Sequence, residues 1–222
     1  MKKHKLSTLN QGNIFVHAGH EFVVLKHFQE DSGGNGGTLC LLKNLLPKMV
    51  FSDCNSNDWR ASKVRGFLNN WLTEVFTELS DVLPMLIDLK ATNGSREYGW
   101  DISSVGLLTI GQYFKYNEYI PLADGYWWLA SPYCTGIWIA GPDGDVYFGS
   151  TVNSDFTNPC ISPRPTLAFR SDLAVYKAEG LPSDSNKDID EIVDEGINSL
   201  VETIRSGLWD LYDTLKTTRC GS

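Results

Sequence analysis

The sequence predicts an α+β domain with small antiparallel sheets and one or two helices, followed by a long amphipathic helix at its C-terminal end. Three observations lead there. Twenty Gly, nine Pro and 12% aromatic residues against only 21% charged favour a loop-rich, aromatic-cored domain over a helical bundle. Short apolar runs bounded by turn residues recur from Gly12 onward. Two segments, 62–79 and 188–215, change to helical spacing. With 222 residues, 42% of them hydrophobic, the chain can bury a full core, which excludes wholesale disorder and disulfide-dependent miniprotein classes.

Residues 12–28 read as a hairpin, with Ile14, Phe15 and Val16, a turn at His17-Ala18-Gly19-His20, then Phe22-Val23-Val24-Leu25. The Gly-rich loop at 31–37 lacks the Lys-Ser/Thr ending of a phosphate-binding loop and reads as a turn or flexible connection. Residues 38–42 form a third strand. In 62–79 the stripe Val64, Phe67, Leu68, Trp71, Leu72, Val75, Phe76, Leu79 marks an amphipathic helix with Ser62 as N-cap. Between Asp81 and Trp100 the breakers Pro84 and Asn93-Gly94 leave the register open. Leu107-Leu108-Thr109-Ile110 reads as a short buried strand leading into a brief helix, 110–116.

Tyr126-Trp127-Trp128-Leu129-Ala130 and Ile137-Trp138-Ile139-Ala140 are strands. The turn 141–145, with Asp143-Gly144 at its tip, joins the second of them to Val146-Tyr147-Phe148. Pro163 and Pro165 place 163–169 at a sheet edge or a strand start. Leu181-Pro182-Ser183 marks a boundary, giving domains 1–180 and 181–222. In the tail, Val193, Ile197, Leu200 and Ile204 follow a heptad, and Leu208 then breaks it by one residue before Leu211. This stripe is expected to serve assembly, by packing back on the domain, forming a coiled-coil trunk or docking on a partner protein.

A net charge of −8 argues against nucleic acid or an anionic membrane as the main partner. The start, Met1-Lys2-Lys3-His4-Lys5, has no apolar stretch behind it, so the expectation is a chain without a signal peptide, made in the cytoplasm and not inserted in a membrane. Five Cys (40, 54, 134, 160 and 220) with no C-x-x-C indicate neither a zinc ribbon nor a redox motif.

Trp127-Trp128-Leu129-Ala130-Ser131-Pro132, then Asp143-Gly144-Asp145-Val146, then Arg164-Pro165-Thr166-Leu167 form a specific pattern. It resembles a domain family of unknown function from Gram-positive gut bacteria and their phages. Asn57-Asp58-Trp59, Arg65-x-Phe67-Leu68-Asn69 and Leu107-Leu108-Thr109 agree with that family's earlier elements. Ser162-Pro163 and Thr166 depart from it, where the family has Gly-Val and Ala. The resemblance covers about residues 10–177 and implies a C-type-lectin-like fold, a ligand-display scaffold and a place on a phage virion.

On that reading the protein is not an enzyme and needs no cofactor. Its partners are a host cell-surface glycan or protein, other virion proteins through the C-terminal helix, and, where it oligomerises, further copies of itself. Adjacent strand residues point to opposite faces, which makes Trp127 and Trp128 structural candidates, with Arg164 satisfying carbonyls in the long loop region. Tyr133, Trp138 and Tyr147, with Asn153, Asp155, Phe156 and Asn158 in the next loop, are the candidate recognition residues, since binder loops join rigid aromatics to adaptable hydrogen bonding. Two alternatives stand: a virion decoration protein, and an intracellular enzyme or regulator related to the formylglycine-generating fold, for which Cys134 and Cys160 are the residues to compare. His17-x-x-His20-Glu21 has no third ligand nearby, and Asp184-x-Asn186-x-Asp188 carries Ile189 where a calcium loop needs Gly, so no metal is expected.

Overall fold

A computed structural model of the chain describes residues 3–28, 36–53, 56–133, 136–149 and 161–178, all within one compact unit, Met1–Ala178. The expected helix at 188–215, with Val193, Ile197, Leu200, Ile204, Leu208 and Leu211, lies outside the described residues. In chain order the elements are β1 (Lys3–Lys5), β2 (Ile14–His17), β3 (His20–Phe28), β4 (Gly37–Leu42), α1 (Lys63–Val75), β5 (Val82–Leu83), β6 (Met85–Asp88) and β7 (Trp100–Ser103). Then follow α2 (Ile110–Tyr116), β8 (Tyr126–Tyr133), β9 (Gly136–Ala140), β10 (Val146–Gly149), β11 (Ile161–Ser162), β12 (Thr166–Arg170) and β13 (Ala174–Lys177). The described residues are thus mostly β with two α-helices.

Seven strands form one sheet in the order β1-β13-β2-β3-β4-β12-β5, four form a second in the order β10-β9-β8-β11, and β6 and β7 form a separate hairpin. Pairing among the described strands is antiparallel except between β11 and β8. The β2–β3 turn has two central residues with positive φ, Ala18 at 48° and Gly19 at 75°, as a two-residue hairpin turn of the primed kind requires.

The inner strands β3, β4, β8 and β12 carry runs of buried residues because both of their faces are covered. Phe22 and Val24 of β3, Cys40 and Leu42 of β4, and Trp128 and Ala130 of β8 enter one core cluster, in which Val64, Leu68, Trp71 and Leu72 of α1 also lie. Their neighbours Val23, Leu25, Leu39, Leu41, Trp127 and Leu129 enter a second cluster with Tyr113 and Tyr116 of α2. Burial in the first cluster is dominated by aromatic contact, with Phe169 edge-on to Phe22 at 5.2 Å and to Phe15 at 6.1 Å.

Two elements differ from expectation. α1 begins where the spacing places it, with Ser62 Oγ accepting from Arg65 N at 3.0 Å, but it ends at Val75 and not at Leu79. Phe76 takes an extended backbone and its ring packs on Phe22, Trp71 and Phe169, a position that continued helix would not reach; Leu79, 42% exposed, falls in a short 3-10 turn. Residues 107–110 are not a strand. Leu107 and Leu108 are buried, but their backbone passes between sheets: Gly106 exchanges both hydrogen bonds with Thr166, and Leu108 O accepts from Ala130 N at 2.8 Å. α2 then starts at Ile110 behind a capping box of Thr109 and Gln112.

The unassigned stretch after Asp81 holds β5, β6 and β7. The β6–β7 hairpin carries apolar residues on both faces, with Ile87 turned inward at 4% exposed. Leu86 pairs with Ile102 and Asp88 with Trp100, and the three apolar members of that face are 58%, 69% and 50% exposed, while Asp101 on the other face is turned inward.

Candidate binding surface

The four-stranded sheet carries Tyr133, Trp138 and Tyr147, three of the seven residues singled out for recognition. Its β9–β10 hairpin turns at Gly141–Asp145, closed by Gly141 N donating to Asp145 O at 2.8 Å, with Gly144 at φ 84°. The register pairs Ala140 with Val146, Ile139 with Tyr147 and Trp138 with Phe148. Paired residues share a face, so Trp138 and Tyr147 stand on opposite sides of the sheet and do not form one surface.

On one side, Tyr133, Trp138 and Phe148 converge. The Tyr133 ring centroid is 5.1 Å from that of Trp138 and 4.7 Å from that of Phe148, and Trp138 Nε1 donates to Thr92 Oγ1 at 3.2 Å. Tyr133 and Trp138 are half-buried and Phe148 is 43% exposed, so the cluster is held from below while part of it meets solvent. On the other side, Tyr147 meets Tyr126 edge-on at 5.6 Å and donates its hydroxyl to the Asp143 carboxylate. That bond pushes the Tyr147 phenol up to about 12 and lowers the Asp143 carboxyl.

Trp127 and Trp128 are each 1% exposed and face different core clusters. Trp128 donates Nε1 to Met49 O at 3.2 Å and packs edge-on to Phe51. Trp127 lies between Tyr113 and the Arg164 guanidinium, 5.6 and 5.1 Å from its ring. Neither offers a face to a ligand.

Arg164 is fully buried and donates to three main-chain carbonyls, Leu42 O at 2.9 Å, Lys43 O at 2.7 Å and Pro121 O at 3.1 Å. Burial lowers its guanidinium to about 10. The segment around it is fixed by Leu42 N on Pro165 O, Leu46 N on Pro163 O and Met49 N on Ile161 O. β12 then starts directly after Pro165, and it is an inner strand for most of its length, with the two-residue β5 outside it.

Asn153, Asp155, Phe156 and Asn158 lie outside the described residues, as do Cys134, Cys160 and the acidic stretch 184–188. His17 and His20 close the β2–β3 hairpin, but each ring packs on aromatics: His17 on Phe76 and Phe169, His20 on Trp71. Glu21 pairs with Lys43 Nζ at 3.0 Å. Among the described residues no group of three or more His, Cys, Asp or Glu could hold a metal ion. Nor is any described helix long and apolar enough to cross a membrane.

Phe148 and Thr92 are the surface residues that sequence reasoning missed. Phe148 was within reach: counting outward from the 141–145 turn pairs 140 with 146 and hence 138 with 148. Thr92 carries no such signal, since its turn meets Trp138 only through the tertiary fold. Compared with known family models, with curated proteins and with solved structures, the chain finds no match.

Proposed function

We propose that the protein is a non-enzymatic ligand-display module, C-type-lectin-like in fold, that recognises a host-surface glycan on the Tyr133–Trp138–Phe148 face. The observation that carries this reading is the convergence of those three rings on one side of a sheet whose two adjacent tryptophans, Trp127 and Trp128, are buried and whose exposed Tyr126 and Tyr147 meet on the other side. Partly exposed aromatic faces pack against the apolar C–H face of a pyranose at small entropic cost, because the rings are already fixed by one another. Small curled antiparallel sheets with two helices support the fold assignment. The place on a phage particle rests on the sequence resemblance, with the 181–222 tail as the docking or assembly segment.

The test is binding of the full chain to a glycan array and to purified Gram-positive cell walls. Trp138→Ala and Phe148→Ala should each weaken retention about tenfold or more, a loss of about 1.4 kcal/mol. Tyr147→Ala, on the opposite side, should leave it unchanged. No retention on any carbohydrate, or retention indifferent to Trp138 and Phe148 in variants that melt like the parent, would overturn the reading.

A further inference from the structure

A cleft that shares no lining residue with the aromatic face opens beside β3, with a volume of about 260 Å³. Phe28, Leu39, Met85 and Leu107 are among its apolar walls, and Lys26, Gln112, Tyr116 and Thr166 are its polar members. Two features show that these polar groups are set there by the fold.

The first is a β-bulge. Val24 pairs with Cys40 and Lys26 with Leu39, so two steps along β3 match one along β4. Unbroken alternation would put Lys26 on the side of Phe22 and Val24, in the first core cluster. The bulge turns it instead to the side of Leu39, where the cleft is; bulges re-aim side chains in this way. The second is Thr166. It is 2% exposed and its main chain is bonded in both directions to Gly106, yet its Oγ1 has no hydrogen-bond partner. Pairing with Leu41, two residues along β4 from Leu39, puts it on the face that Lys26 occupies. A buried hydroxyl without a partner is costly, and here it borders a cavity.

α2 adds two donors on one helical face, four residues apart. Gln112 commits its amide oxygen to Thr109 N at 2.9 Å, which leaves its NH₂ end to offer; Tyr116 adds a phenol. The lining therefore presents an ammonium, an amide NH₂ and two hydroxyls, and no carboxylate.

We propose that this cleft binds a small amphipathic carboxylate, its anionic end between Lys26 and Thr166 and its compact apolar body against Phe28, Met85 and Leu107. Positive charge without a competing acid selects the anion. The volume, below the usual range for drug-sized ligands, limits the guest to on the order of ten non-hydrogen atoms.

The test titrates the full chain with phenylacetate and with hexanoate, read by saturation-transfer NMR and calorimetry, with benzyl alcohol and acetate as controls lacking the charge or the body. At least one of the two acids binds at millimolar or better, and both controls are at least tenfold weaker. Lys26→Met weakens the acid about tenfold. Thr166→Val also weakens it, while the melting temperature of the unliganded variant stays level or rises, because the hydroxyl it removes had no partner. Phe114→Ala, exposed on α2, changes nothing. Absence of binding by both acids, equal binding of benzyl alcohol, or affinity indifferent to Lys26→Met and Thr166→Val would overturn the proposal. So would a lowered melting temperature in Thr166→Val without any acid binding to the parent, the sign of a bound water as the only occupant.

Discussion

Arg65 grips both carboxylate oxygens of Asp101, with Nε 3.0 Å from Oδ2 and Nη2 3.1 Å from Oδ1, while Trp59 Nε1 donates to the same Oδ2 at 2.9 Å. One carboxylate on β7 thus ties the β6–β7 hairpin to the first turn of α1 and to the turn before it. Asn57 makes a second tie nearby, accepting from Tyr98 OH at 2.6 Å and donating Nδ2 to Gly136 O at 2.9 Å at the start of β9. These contacts compensate for a hairpin whose other face is apolar and exposed.

Asp101→Ala leaves a guanidinium and an indole N–H without their acceptor, with the Asp101 side chain only 10% exposed beforehand. The expected loss is about 3 kcal/mol in urea unfolding, the order found on breaking one side of a largely buried pair. The double variant Arg65→Met/Asp101→Leu should lose less than half of that, since it removes the stranded charge together with its partner. A loss below about 1 kcal/mol in Asp101→Ala would mean that the pair is screened like a surface bridge.

Arg164→Met strands three carbonyls at the junction of the 42–49, 119–122 and 161–165 segments. About 3 to 5 kcal/mol of unfolding free energy should go with it, given a fully buried cation held by hydrogen bonds. Arg164→Lys should recover little, because an ammonium cannot reproduce the planar fork or lie over the Trp127 ring. Near-ultraviolet dichroism, reporting the packing of Trp127, checks both variants; native-like spectra and stability in Arg164→Lys would show that charge alone suffices.

Burial holds the His17 imidazole below its ordinary 6.5, and Asp81, 3.9 Å away, offsets only part of that. Because the unfolded chain takes up this proton at a higher pH than the folded chain, stability rises with pH between the depressed value and 6.5 and levels off above. Melting temperatures from pH 5 to 8 should therefore fall on the acid side. In His17→Phe, which keeps the ring contacts with Phe76 and Phe169, the fall should be shallower. An equal fall in parent and variant would assign it to carboxylates instead.

Much of the fold is legible in the sequence where turn chemistry and periodicity agree. Ala18-Gly19 and Asp143-Gly144 announce their hairpins, Ser62 its helix, and Thr109 with Gln112 the start of α2. Asn57, Trp59 and Arg65, noticed only as pattern residues, act through Asp101, Tyr98 and Gly136, partners 36 to 79 positions away that no local rule connects. The β6–β7 hairpin is illegible because Leu86, Trp100 and Ile102 point outward while Ile87 points inward, which leaves no apolar–polar alternation to read. At the candidate surface, the pairing of Trp138 follows from turn length, whereas the bulge that re-aims Lys26 depends on which strand β3 meets.

The last strands of the seven-stranded sheet are not its outermost. β13 inserts between β1 and β2, and β12 between β4 and β5. A ribosome making this chain releases β1 to β5 long before the strands that separate and cover them, so their open edges await residues 166–177. Completion of the sheet is a late, non-local event, exposed to mispairing with other nascent copies until then. Any truncation meant to isolate the domain has to retain Lys177: removing residues 166–177 takes out interior strands, and the product is an aggregation-prone remnant rather than a shorter domain.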